Sequence, residues 1–148
     1  MILLRPFKFN PVALEKAQND QNGKVARLTG DEMVLNGDDK DLTLSKMLEK
    51  YGEDLVGIDA YAKMQEGKLD LTGSATYKEE HITVDDTYDM PMPRPHNFRL
   101  LVVESGHLVM TDNTGRETTI VPGDHIFIPA VTSIVVLDGY ATVRLATL

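Results

Sequence analysis

The hydrophobic pattern divides the chain into two parts. From about residue 75 onward, short runs of apolar or alternating residues are separated by turn signals, as in antiparallel strands. Residues 100–103 and 134–137 are continuously apolar, so we expect them in central strands. Asp138 and Gly139 predict a tight hairpin between the last two runs. The candidate strands are 76–84, 98–104, 107–112, 117–121, 125–128, 133–137 and 140–147. Their even spacing favours an antiparallel sandwich or barrel.

The part before about residue 60 carries one helical pattern. Apolar residues recur at helical spacing over 44–56, with Lys and Glu on the opposite face, which predicts one amphipathic helix over about 43–56. Thr43 is its expected N-cap and Gly57 its stop.

The remaining N-terminal pattern is weaker. Residues 12–17 predict a short helix, while 24–28 and 32–35 predict two short paired strands, with a turn at Asn36 and Gly37. The chain of 148 residues fits one domain, with an arm, strands and helix in 1–60 and a β-barrel core in 75–148.

Composition excludes several functional classes. The chain has no Cys, so there is no disulfide framework and no thiolate site. No apolar run has the length of a membrane span, no signal peptide is indicated, and we expect a cytoplasmic protein. The net charge of −8 argues against nucleic-acid binding. A small anionic ligand therefore requires a local basic pocket that works against the overall field.

The most distinctive motif reads Pro-Gly-Asp-His-Ile-Phe-Ile-Pro over residues 122–129. It resembles the second conserved motif of cupins, in which a Gly-Asp turn opens a buried strand that closes with Pro, Gly and a metal-ligand His. Gly123 and Pro129 keep that spacing, but Val131 stands in place of the Gly and Ile134 in place of the His. The resemblance implies a cupin-like antiparallel β-barrel or jelly roll, with an apolar side chain at Ile134 where a zinc site needs a donor.

A wider resemblance is to class I, cupin-type mannose-6-phosphate isomerases. The C-terminal matches lie at 82–88, 100–106, 122–130 and 144–147, and the N-terminal matches at 9–11, 33–37, 42–48 and 55–57. In that family the metal-bearing central cupin lies between these two pieces. Its Gln-Val-His-Pro segment has no counterpart here, so no zinc ligand is carried over. The chain is similar to such an isomerase without its catalytic middle.

The histidines give only weak metal candidates. Period-two spacing would place two imidazoles on one face of a strand, but none of the four His lies two residues from another. His81 belongs to a strand whose even positions are apolar, which turns it outward, and His125 opens a buried strand. Both favour a structural reading over a metal site. We expect His107 to lie exposed in a turn.

A Pro-rich connector supplies the candidate ligand-binding residues. Arg94, His96 and Asn97 follow Pro91, Pro93 and Pro95, and a stiff loop with these side chains could meet an anionic ligand at the barrel mouth. The alternative reading is a purely structural connector.

Three functions remain open on this pattern. The favoured one is a metal-free cupin module without catalysis that binds a small polar or sugar-like ligand, in line with carbohydrate metabolism. The second is a reduced sugar-phosphate isomerase or other cupin enzyme that requires Zn. The third is an interaction or assembly module. A homodimer is expected, through exchange of the apolar arm at residues 1–9.

Overall fold

One antiparallel sheet dominates the computed structural model, which describes residues 4–12, 28–71, 75–91 and 97–148. Its strands are β1 Phe7–Asn10, β2 Met33–Val34, β3 Lys78–Pro91, β4 Arg99–Asp112, β5 Glu117–Ile120, β6 His125–Ile128 and β7 Ile134–Thr147. They lie in the order β2-β1-β6-β4-β7-β3, and β5 pairs with β4. Over these described ranges the sheet does not close into a barrel. The prediction of a mainly β, cupin-like fold is confirmed, as an open jelly-roll-like sheet instead of a closed barrel.

Two predicted strand pairs are single long strands. The runs 98–104 and 107–112 join in β4, and 133–137 and 140–147 join in β7. The predicted hairpin at Asp138 and Gly139 is therefore wrong, because both residues lie within β7, opposite Thr87 and Asp86. Gly139 has φ +139°, so its turn propensity produces a bend inside a strand.

The neighbouring strand β4 is bent beside the same part of β7. β4 carries a bulge between Val103 and Ser105, and Gly106 follows it with φ +81°. A Cβ at Gly106 would lie 2.0 Å from the carbonyl oxygen of Tyr140, so only Gly fits there. The bulge reverses the alternation of β4: Leu101 before it and Leu108 after it belong to the same buried cluster. The sheet therefore curves, and the buried cluster lies on its concave face.

The concave face encloses an apolar interior cluster. All of its described buried members are aliphatic or Met side chains. They are Val84, Met90, Leu101, Val103, Leu108, Met110, Ile120, Ile126, Ile128, Val135, Leu137, Ala141, Val143 and Leu145.

Three described helices cover part of the opposite face: α1 Leu44–Tyr51, α2 Glu53–Val56 and α3 Ile58–Gln65. Thr43 caps α1 as predicted, since its hydroxyl accepts from the amide of Lys46 at 3.3 Å. The predicted continuous helix over 43–56 is wrong at Gly52, where φ +53° breaks it into α1 and α2. α3 lies beyond the predicted stop. None of the described helices has the length and apolarity needed to cross a bilayer.

The N-terminal arm pairs within its own chain. β1 lies between β6 and β2, and the ring of Phe7 stacks on that of Phe127 with centroids 5.2 Å apart. The strand at 33–34 thus pairs with β1, while residues 24–27 and 13–17 lie outside the described residues. Since the described arm is buried in its own chain, the homodimer by arm exchange stays a prediction.

The side chain of Ile134, which stands where the cupin motif has its metal-ligand His, does not enter the interior. Ile134 is 39% exposed at the start of β7, whereas the next residue, Val135, is fully buried in the interior cluster. Alternation along the strand turns the Ile134 side chain to the outer face. The expectation that Ile134 fills a former metal position is therefore wrong.

Two truncations on β7 test this assignment. Leu137→Ala should lower the free energy of unfolding by ~2–5 kcal/mol, because Leu137 is fully buried. Ile134→Ala should change it by only about 0.5 kcal/mol, because the side chain already contacts water. Urea denaturation followed by circular dichroism measures both, and equal losses would contradict the described orientation.

His125 is a buried titratable group of the sheet. It opens β6, is 4% exposed, and its ring lies 5.7 Å from that of Phe9. Burial lowers the pKa of His125 below its ordinary value of 6.5, and the nearby charge of Asp124 only partly opposes this. Between the lowered pKa of folded His125 and the ordinary value, the unfolded chain binds more protons than the folded chain. The contribution of neutral His125 to the free energy of unfolding is therefore fully present above about pH 6.5 and is lost as the pH falls from there through the lowered pKa.

His125→Phe should therefore remove part of the acid sensitivity of folding. The free energy of unfolding of the parent protein should drop between pH 7.5 and pH 5, and the drop should be smaller in the variant. His107→Phe is the control, because His107 is exposed and should leave the drop unchanged. An identical pH dependence in His125→Phe would show that His125 does not contribute to it.

Candidate functional site

The loop predicted to bind a ligand is described only at its end. Arg94 and His96 lie outside the described residues. Asn97 is half-buried, and its Oδ1 accepts a hydrogen bond from the amide of Phe98 at 2.9 Å, just before β4 begins. Its side chain supports the local backbone, and a ligand site at this loop stays a prediction.

The two metal candidates that can be placed do not converge. His81, Arg144, Val102 and His125 follow one another across β3, β7, β4 and β6 in register. With strands spaced ~4.8 Å apart, the backbones of His81 and His125 are about 14 Å apart, too far to share an ion. His81 is exposed as predicted, and its Nδ1 lies 2.9 Å from Glu104.

The described interior also does not fit zinc. Zinc requires nitrogen, oxygen or sulfur donors at about 2.0–2.3 Å, and the buried members of the interior cluster supply none. Within the described ranges, no three His, Asp or Glu residues gather closely enough to hold a metal ion.

A polar cleft of about 250 Å³ lies on the helix side of the molecule, and we call it the arginine cleft. Four segments enclose it: the chain before β1, the turn after β2, the last turn of α1, and the turn that joins β4 to β5. Its floor includes Phe7, Val34 and Met47, which are buried. The polar side chains that line it are Arg5, Asn36, Asp38, Asp39, Lys50, Tyr51 and Arg116.

Asp39 organises one wall of the arginine cleft. Its carboxylate accepts hydrogen bonds from Lys50 Nζ and from the Tyr51 hydroxyl, each at 2.5 Å. Burial alone would raise the pKa of Asp39, but the hydrogen bonds from Lys50 and Tyr51 and the Lys50 charge outweigh burial and lower it. Burial and the bond to Asp39 raise the pKa of Tyr51, so the wall presents a charged carboxylate and a neutral phenol at neutral pH.

The arginines and the lysine of the cleft differ in whether they form an ion pair. Lys50 is paired with Asp39, whereas neither Arg5 nor Arg116 forms an ion pair with a described residue. The Nε of Arg5 is buried and has no hydrogen-bond partner in the described part of the chain. A buried donor without a partner is unfavourable, and a ligand oxygen would satisfy it.

The turn that carries Arg116 is held by a buried carboxylate. Asp112 is 8% exposed, and its Oδ1 accepts from the amide and hydroxyl of Thr114 and from the amide of Arg116 at 3.3 Å. The carbonyl of Arg116 in turn accepts from the amide of Asp112 at 3.1 Å. These bonds fix the backbone from which the Arg116 side chain reaches the cleft.

This arrangement suits an anion. Guanidinium groups bind phosphate and carboxylate through paired N–H donors, and the cleft brings together three cations and two carboxylates in a protein of net charge −8. The carboxylate of Asp39, the Tyr51 hydroxyl and the Asn36 amide add groups that can bind hydroxyls. The cleft is the local basic pocket that the composition required for an anionic ligand.

Sequence reasoning missed the residues of this cleft because nothing in their spacing connects them. Arg5, Asp39, Lys50 and Arg116 are scattered over more than a hundred positions and belong to no motif. Only the pairing of β1 with β6 and the packing of α1 bring them together.

Comparisons with known proteins give a partial structural likeness. No protein-family model and no curated protein matches the sequence. Among solved structures, the chain is similar to an alanine mutant of phosphomannose isomerase from Salmonella typhimurium, with 17% identity, a TM-score of 0.43, and coverage of 48% of this chain and 18% of that chain. Mannose 6-phosphate isomerase from Salmonella typhimurium, bound to substrate (f6p) and a zinc atom, gives 17% identity, a TM-score of 0.43, and coverage of 48% and 17%. The chain spans less than a fifth of the length of these proteins, and such partial overlaps assign no role to its residues.

Proposed function

We propose that this chain is a metal-free, cupin-like binding module that takes a small anionic, sugar-like ligand in the arginine cleft and catalyses no reaction. The observation that carries the proposal is that two guanidinium groups, Arg5 and Arg116, line one polar cleft without a carboxylate partner among the described residues. An anion bound in the cleft would give these two side chains a partner of opposite charge.

The ligand has two recognisable ends. A phosphate or carboxylate group would accept from Arg5 and Arg116, because both offer forked donors that match its oxygens. Hydroxyl groups would lie against the opposite wall, where Asp39 and Tyr51 supply an acceptor and a donor. A phosphorylated sugar has both features, and the cleft volume of about 250 Å³ suits a small molecule of this kind.

The interior supports a role without a metal. In the cupins that the sequence resembles, a metal is held by donor side chains inside the sheet, and no group of three His, Asp or Glu residues in the described ranges could hold one. Converting that interior into a donor set would bury unpaired polar groups, which is costly. The polar cleft that supports the proposal lies outside the sheet, on the helix side.

Binding can be tested by thermal unfolding with inorganic phosphate, mannose 6-phosphate and mannose. Phosphate and mannose 6-phosphate should stabilise the protein, by ~2.7 kcal/mol at a concentration of 100 Kd, and mannose should not. Arg5→Met and Arg116→Met should each bind at least about tenfold more weakly, because each removes charge-assisted bonds of roughly 1.5–3 kcal/mol.

The matched control is Lys46→Met. Lys46 lies on α1 like Lys50 but outside the cleft, and the substitution removes the same charge. An equal loss of affinity in Lys46→Met would mean that only the overall charge matters. No response to either phosphate compound would contradict the proposal, and so would equal binding of mannose.

Catalysis is tested separately on the same samples. Mannose 6-phosphate incubated with the protein, with and without Zn²⁺, should show no conversion to the ketose phosphate by NMR. Conversion that disappears in Arg5→Met would replace the non-catalytic proposal with the isomerase alternative.

A further inference from the structure

The outermost long strand of the sheet, β3 Lys78–Pro91, pairs on one side only in the described part of the chain. Its fourteen residues are in register with β7, and the sheet order ends at β3. Among the described residues, no strand lies along the other side of β3 to bond the backbone N–H and C=O groups there. Such an edge is a template for another extended segment.

The apolar interior is incompletely covered at this edge. Ile82 and Tyr88 lie on the inner face of β3, pack against the interior cluster and remain partly exposed. Between them Val84 is buried. A strand added beside β3, with apolar side chains on its inner face, would cover Ile82 and Tyr88.

The charged side chains of β3 indicate which kind of strand could bind beside it. Glu80, Asp85, Asp86 and Asp89 are exposed along β3, and none of them forms an ion pair with a described residue. The only Lys or Arg of β3 is Lys78, at its start, and Nδ1 of His81 lies 2.9 Å from Glu104. Asp85 and Asp89 lie on the outer face of β3, opposite to the face of Ile82, so basic residues at alternate positions of an added strand would lie beside these two carboxylates.

The same charges argue against a second copy. If two β3 strands paired antiparallel around a twofold axis at Asp85, that carboxylate would face its own copy, and an axis at Val84 would place Glu79 opposite Asp89. Like charges directly opposite each other destabilise paired strands. We propose that the free edge of β3 binds an extended segment of a partner protein in which basic and apolar residues alternate, and that this segment extends the sheet by one strand.

A short peptide of alternating Lys and Val is the probe. Bound to the full chain at low salt, it should slow hydrogen exchange at backbone amides of β3, and added salt should weaken binding because the paired charges are exposed. The same peptide N-methylated at alternate residues should not bind, since it lacks the N–H groups that extend the sheet.

A variant with reversed charges on β3 should show the opposite peptide preference. Asp85→Lys with Asp89→Lys should lose the Lys/Val peptide and bind a Glu/Val peptide instead, which also shows that the variant is folded. Glu53→Lys with Asp59→Lys makes the same change of net charge on α2 and α3 and should keep the original preference.

Three results would overturn the proposal. Equal binding of the N-methylated peptide would mean association by charge alone. Concentration-dependent protection of β3 without peptide would mean that a second copy occupies the edge. An absence of binding at low salt would mean that the acidic side chains simply keep the edge free.

Discussion

The structure depends on one backbone constraint, the bend shared by β3, β4 and β7. At Gly106 the neighbouring carbonyl of Tyr140 leaves no room for a side chain, and the bulge beside it adds one residue to β4. The added residue reverses which positions face inward, so that Leu101 and Leu108 meet in the same cluster. Without this reversal, a strand as long as β4 would lie flat and present half of its apolar residues to water.

Because the sheet curves around its own side chains, its interior is a packed core. The buried aliphatic side chains of this core offer a ligand no hydrogen-bond donor or acceptor. Polar side chains that could bind a ligand lie instead where different elements meet. The arginine cleft is such a place: the arm before β1, α1 and two turns each contribute polar side chains above an apolar floor.

The distribution of charge separates two surfaces of the molecule. The arginine cleft concentrates guanidinium groups without carboxylate partners in the described chain, whereas the edge at β3 concentrates exposed carboxylates. In an acidic protein, the first arrangement is unfavourable without an anion and the second repels a copy of itself. The two surfaces therefore suit ligands of opposite charge, a small anion in the cleft and a basic strand at the edge.

The sequence by itself determined the local features of the fold. The period of the apolar residues predicted the strands after residue 75, and Thr43 marked the start of α1, because alternation and capping depend on neighbours in the chain. Tertiary structure decided whether Asp138 and Gly139 turn or bend, since only the pairing of β7 with β3 and β4 holds them inside a strand. It also decided that Ile134 faces outward and that Arg5, Lys50 and Arg116 share a cleft. Contacts between residues far apart in the chain depend on strand register and helix packing, and no local pattern encodes them.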